Sequence, residues 1–120
     1  METVNLKEKL SRVSDYWNPR IVGEINDSYV KIVKLKDEFV WHHHDHEDEM
    51  FLVVAGTLRM RFRHGDQIIQ PGEFIIVPKG VEHLPVADSE EVHMVLIEPK
   101  TTLNTGNVTN DRTRPELERI

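Results

Sequence analysis

The chain of 120 residues contains no cysteine, so neither a disulfide framework nor a thiolate metal site is open to it, and its composition fits a reducing compartment. No apolar run approaches the roughly 18 residues of a membrane-spanning helix. Positive charge is in deficit, with 15 Lys and Arg against 21 Asp and Glu and a net charge of -6. Without a basic block the chain is a poor candidate for nucleic acid or anionic membrane, both of which require clustered Lys and Arg. The first residues, Met-Glu-Thr-Val-Asn-Leu-Lys-Glu, lack the basic and apolar regions of a secretion signal, and the expectation is a cytoplasmic protein. At this length one domain over residues 1–120 is expected, burying roughly two-thirds of the surface of the unfolded chain.

Helical periodicity is equally scarce. Leu6, Leu10, Val13 and Trp17 form one apolar stripe, which predicts a short N-terminal helix over residues 5–17 with Asn5 as N-cap and Asn18-Pro19 as its stop. From residue 21 the period changes. Strands are expected over residues 21–25, 29–35, 49–55, 57–63, 66–70, 73–77 and 92–98, with residues 39–44 extended. Gly56, His64-Gly65, Pro71-Gly72 and Pro78-Lys79-Gly80 mark the turns. Many short strands with tight turns predict an all-β sandwich or barrel with its core at residues 21–99. Residues 100–120, rich in Thr, Asn, Gly and Arg, read as a tail that wraps the barrel and ends in a helical turn at residues 115–120.

What the chain does have is histidine in one place: four of its seven fall within residues 42–46, beside Asp45, Glu47 and Asp48. On extended chain alternate side chains share a face, so His42 and His44 point together while Trp41 and His43 point away. Glu49, on the next strand, returns to the same face after a turn. Two imidazoles and a carboxylate make three corners of a site for Zn, Fe, Ni, Cu or Mn. Downstream, Gly72 to Val77 lead into the Pro78-x-Gly80 turn, which reverses the chain so that His83 can face the interior as a further ligand. A register using His44 and His46 with Glu49 leaves only two residues before the glutamate.

These stretches resemble the small single-domain cupins, including the mannose-6-phosphate-isomerase-like group. The first cupin motif, G(x)5-H-x-H-(x)3-4-E-(x)6-G, is matched by His42, His44, Glu49 and Gly56. The second, G(x)5-P-x-G-xx-H-(x)3-N, is matched by Gly72, Pro78, Gly80 and His83, with fifteen residues between Gly56 and Gly72. Lys36 stands where the first motif has its leading glycine, and Ala87 where the second ends in asparagine; both departures concern local turn geometry. The resemblance implies a cupin-type double-stranded β-helix, or jelly-roll barrel, holding one divalent transition metal on His42, His44, Glu49 and His83.

Arg59, Arg61 and Arg63 alternate with Leu58, Met60 and Phe62. Three unpaired guanidinium groups inside an apolar barrel would be very costly, so Gly56 is expected to reset the phase and place Leu58, Met60 and Phe62 inside. Phe51, Val53, Met60, Phe74, Ile76 and Met94 are expected to wall a cavity, and His93 either to face it, touching substrate or shuttling a proton, or to sit outside; its alternation partners Val95 and Ile97 are as apolar as Met94 and Leu96, so periodicity does not choose. Catalytic residues are not identifiable. An enzyme acting on a small oxygenated molecule, by dioxygenase, isomerase or related chemistry, is the first expectation, and a non-catalytic binding module the alternative. Apolar residues on both faces of residues 50–54 and 74–77 raise the expectation of a homodimer.

Overall fold

The computed structural model describes all of residues 1–120. One helix, α1 (Leu6–Ser11), precedes eight strands: β1 (Arg20–Ile25), β2 (Ser28–Leu35), β3 (Glu49–Ala55), β4 (Leu58–Phe62), β5 (Gly65–Ile69), β6 (Phe74–Val77), β7 (His83–Ala87) and β8 (Val92–Pro99). They form a five-stranded sheet in the order β1-β2-β8-β3-β6 and a three-stranded sheet in the order β5-β4-β7. This is the all-β double-stranded helix expected from the sequence, with one strand, β7, that the strand pattern did not foretell.

The helix is shorter than its apolar stripe. Asn5 caps it, its side chain accepting from the Glu8 amide at 3.0 Å, and Glu8 pairs with Arg12 one turn on. Beyond Ser11 the run Val13-Ser14-Asp15 is weakly helical, and six residues hold their shape by packing rather than propensity. Leu10 and Val13 pack on Ile32 and Val95, covering part of the outer face of the larger sheet. Trp17 has left the stripe. It takes a positive φ of 58° and stacks on Phe39 with ring centroids 4.7 Å apart, inside the barrel.

The interior is built by rows of side chains across β2, β8 and β3. Leu35 lies opposite Val92, and Val33 opposite Met94, which in turn faces Val53; Lys31 lies opposite Leu96, which faces Phe51. One step further along the β3–β8 register, Glu49 comes abreast of Glu98. Gly56 resets the phase as expected. Its φ is 81°, and a Cβ there would stand 2.2 Å from the Glu91 carbonyl oxygen, so only glycine fits; a register shift between Val53 and Ala55 adds to the break. Leu58 and Met60 are consequently buried, while Arg59, Arg61 and Arg63 lie outside, paired with Asp66, Asp88 and Glu82.

The segment expected to be extended at residues 39–44 joins the smaller sheet through two bridges to β7, Glu38 with Val86 and His42 with His83, rather than as a full strand. The turn before it, where Lys36 replaces the motif's glycine, is made by Asp37 at a φ of 59°. The tail wraps the barrel: Arg112 Nη1 donates to the Glu38 carbonyl, and Asn107 is bonded to His43. The helical turn expected at residues 115–120 does not form. Instead Ile21 N donates to the Glu118 carbonyl at 2.9 Å and Ile120 N to the Ile21 carbonyl at 3.1 Å. The free edge of β1 offers the backbone partners that a single helical turn would have lacked.

Candidate metal centre

His42 and His44 alternate on extended chain, and both side chains turn inward, nearly inaccessible. The backbone of His42 is held by a reciprocal pair with His83, N to O at 3.0 and 2.9 Å. That pair brings two histidines 41 positions apart in the sequence to a ring-centroid separation of 4.3 Å. The His44 carbonyl accepts from Gly80 N at 2.7 Å, so the Pro78-x-Gly80 turn grips the histidine segment directly. Glu49 enters from the first position of β3.

Two of the imidazoles carry the same orienting bond. His42 Nδ1 lies 2.9 Å from the Val40 carbonyl oxygen and His83 Nδ1 2.8 Å from that of Val81. A carbonyl only accepts, so both rings carry the proton on Nδ1 and leave the Nε2 lone pair free, the arrangement that orients metal-binding histidines. Glu49 Oε1 lies 2.7 Å from His44 Nε2 and 3.3 Å from His83 Nε2. Despite these distances none of the three atoms completes a directed hydrogen bond, and all are sealed from water. Their lone pairs converge on one point. One donor atom from each of His42, His44, Glu49 and His83 lies within 4.8 Å of the others. Donors about 2.1 Å from a common ion lie at most about 4.2 Å apart, so the four need only a small contraction to close on a cation.

Electrostatics agree with that fit. Burial, then the neighbouring His83, pushes the His42 imidazolium down to about 4, so the ring is a neutral ligand at ordinary pH. Burial alone would raise Glu49, but the neighbouring Glu98, His44 and His83 side chains outweigh it and hold the carboxyl well below the usual range. Three imidazoles and one carboxylate are a donor set that suits a divalent transition ion.

The remaining residues of the histidine segment lie outside this cluster. His43 points away, its Nε2 2.9 Å from Asp45 Oδ1 and its backbone amide bonded to Asn107 Oδ1. His46 is not among the converging donors, so the geometry favours His42 and His44 over the register built on His44 and His46.

Beside His42 and Glu49 opens a cavity of about 40 Å³, walled in part by Trp17, Phe39, Phe51, Met94, Glu98 and Asn104. Phe51 and Met94 are where the alternation predicts a wall. Met60 is not at the wall but packed in the core, fully buried. Phe74 and Ile76 correct the sequence reading: they are 60% and 55% exposed on the outer face of β6, where Val77 is the residue that faces inward. His93 is corrected likewise. It lies on the outer face of β8, with Nε2 2.6 Å from Glu91 Oε1.

The sequence reading missed Glu98 and Lys31. Lys31 Nζ lies 2.7 Å from Glu98 Oε1, with both side chains 1% exposed. Burial and the nearby Glu49 charge push the Glu98 carboxyl well above the usual range, with Lys31 pulling the other way. Each had a signal in the sequence: Glu98 is in phase with Met94 and Leu96, and Lys31 with Val33 and Leu35. A lysine and a glutamate at core phase on two strands are worth pairing.

Comparison with known proteins bears on the same residues. The family described as the cupin domain matches residues 29–99, more than half of the chain. A cupin-2 domain protein of Shewanella frigidimarina is 44% identical, with a TM-score of 0.80 over 82% of this chain and 95% of that one. A Neisseria meningitidis protein is 34% identical, with a TM-score of 0.74 over 82% of this chain and all of its own. The uncharacterized protein YdbB of Bacillus subtilis (strain 168) is 32% identical over 63 residues, covering 52% of this chain; the match spans only 56% of that relative's length.

Proposed function

This chain is a member of the cupin-domain family, and on that premise we propose that it carries one divalent transition metal on His42, His44, Glu49 and His83 and acts as an enzyme on a small oxygenated molecule. One observation carries the reading: four buried donor atoms converge within 4.8 Å, three of them without a directed hydrogen-bond partner. Such groups are expensive to bury unless something binds them. An ion bound there supplies Lewis acidity or a place for dioxygen.

The chain's own residues do the rest. Val40 and Val81 hold two imidazoles by their Nδ1 protons, and the Gly80 amide holds the segment that carries the third. Trp17, Phe39, Phe51 and Met94 line the cavity and offer an apolar surface to the ligand. Glu98 favours an enzyme over a passive binding module, because it gives the cavity an ionisable group beyond the four donors.

Elemental analysis of untagged protein tests the metal. About one equivalent is expected as purified or after reconstitution, and less than a tenth of an equivalent with no uptake would sink the reading. His83→Ala should lose most of the metal and His43→Ala keep it. Oxygen consumption and turnover with small catechols, β-diketones and keto-acids, under Fe(II), Mn(II) and Ni(II), then separate enzyme from module: tight binding without turnover favours the module.

A further inference from the structure

Glu98 ends the inward row of β8 and is 2% exposed. Lys31 takes one of its carboxyl oxygens, at 2.7 Å, which fixes the plane of the group. The other oxygen, Oε2, is buried and has no hydrogen-bond partner, in a residue that borders the same cavity as His42 and Glu49. A held carboxyl with one idle oxygen beside a ligand cavity is built to receive something.

We propose that Glu98 is a ligand-recognition residue that grips a hydroxyl on the carbon next to the ligand's metal-binding oxygen, so that the cavity takes small α-hydroxy carbonyl compounds. This rests on the metal reading above and names the ligand class for that site. The spacing follows from the register: Glu98 is abreast of Glu49 on the neighbouring strand, and opposed side chains start about 5 Å apart, a span for two oxygens on adjacent carbons. A hydroxyl both gives and accepts a hydrogen bond, so it suits a carboxyl in either protonation state. The ligand is compact because the space is about 40 Å³. Phe51 and Met94 lie against its apolar end.

The test uses Mn(II)-loaded protein and two probes of nearly equal shape, hydroxyacetone and 2-butanone, with paramagnetic broadening of the probe's proton resonances as the readout. The wild type should bind hydroxyacetone more tightly by about tenfold or more, the worth of one hydrogen bond to a charged or buried group. Glu98→Gln, which keeps a hydrogen-bonding amide, should retain most of that preference. Lys31→Met combined with Glu98→Leu removes both charges together, avoids stranding either, and should bind the two probes alike while holding Mn(II). Equal binding by the wild type, or a preference that survives in the double variant, overturns the proposal. Loss of Mn(II) from the double variant also overturns it, because Glu98 would then serve the metal and not the ligand. No Mn(II) uptake by the wild type would overturn the metal reading and this one with it, whereas uptake without preference overturns this one alone.

Discussion

The barrel interior has two ends, built by the same three strands from opposite chemistry. At one, Leu35, Val53 and Val92, with Leu58 and Met60 from β4, make an apolar core. At the other, the inward rows of those strands finish in Lys31, Glu49 and Glu98, next to three histidines. Both ends are equally sealed, so burial does not separate them; what separates them is whether each polar atom has found a partner. The apolar end is self-sufficient, and the polar end leaves donor atoms converging on space. A core made for stability alone has no reason to do this, since well-packed apolar residues are as stable as a buried ion pair or more so.

The largest expected effect comes from unbalancing the polar end. Glu98→Leu alone strands the Lys31 ammonium in the interior and should lower unfolding free energy by about 3–5 kcal/mol, with the Lys31→Met, Glu98→Leu double variant recovering most of it. Denaturant titration of the four species measures this; a double variant as unstable as the single would mean that the pair holds the fold and is not a functional insertion. At the apolar end Met60→Ala should cost about 2–5 kcal/mol by leaving a cavity, yet bind metal with wild-type stoichiometry. A metal-poor Met60→Ala would erase the distinction between the ends. Next, Mn(II) at a hundred times its dissociation constant should stabilise the wild type and Met60→Ala alike by about 2.7 kcal/mol, and His83→Ala hardly at all, as read by thermal shift. Smallest is Phe74→Gln, outside both ends, which should change stability by no more than about 0.5 kcal/mol and leave probe binding untouched.

The metal end was largely legible in the chain because its residues are chemically rare and regularly spaced. His42, His44 and Glu49 lie within eight positions, and Gly72, Pro78 and Gly80 announce the turn before His83. Gly56 was legible for a different reason: three arginines had to leave the interior, and one glycine stood where the phase could break. Glu98 and Lys31 were less so. Their strands are apolar on both faces, since α1 covers part of the outer one, so their phase with Met94 and Leu96 or Val33 and Leu35 becomes a signal only once the inward face is known. The same ambiguity misplaced Phe74, Ile76 and His93. Trp17 was misread because helical spacing persists in sequence for one turn after the helix itself has ended. Strand β7 was missed because Pro85 sits in its middle; the strand tolerates it, the Pro85 carbonyl accepting from Phe39 N at 3.0 Å.

The tail's hold on His43 has a consequence in time rather than in space. Asn107 clasps the backbone of His43 from both sides, His43 N to Oδ1 at 2.8 Å and Asn107 N to the His43 carbonyl at 3.0 Å, across 64 residues of sequence. At neighbouring Gly106 a Cβ would stand 2.1 Å from the same carbonyl oxygen, so the approach is as close as a backbone can make it. His43 lies between two of the converging donors, and its clasp comes from a segment that follows all four of them in the chain. All four donors are therefore translated before the piece that pins their segment down, and the histidine segment gains this fastening only once residue 107 has been made.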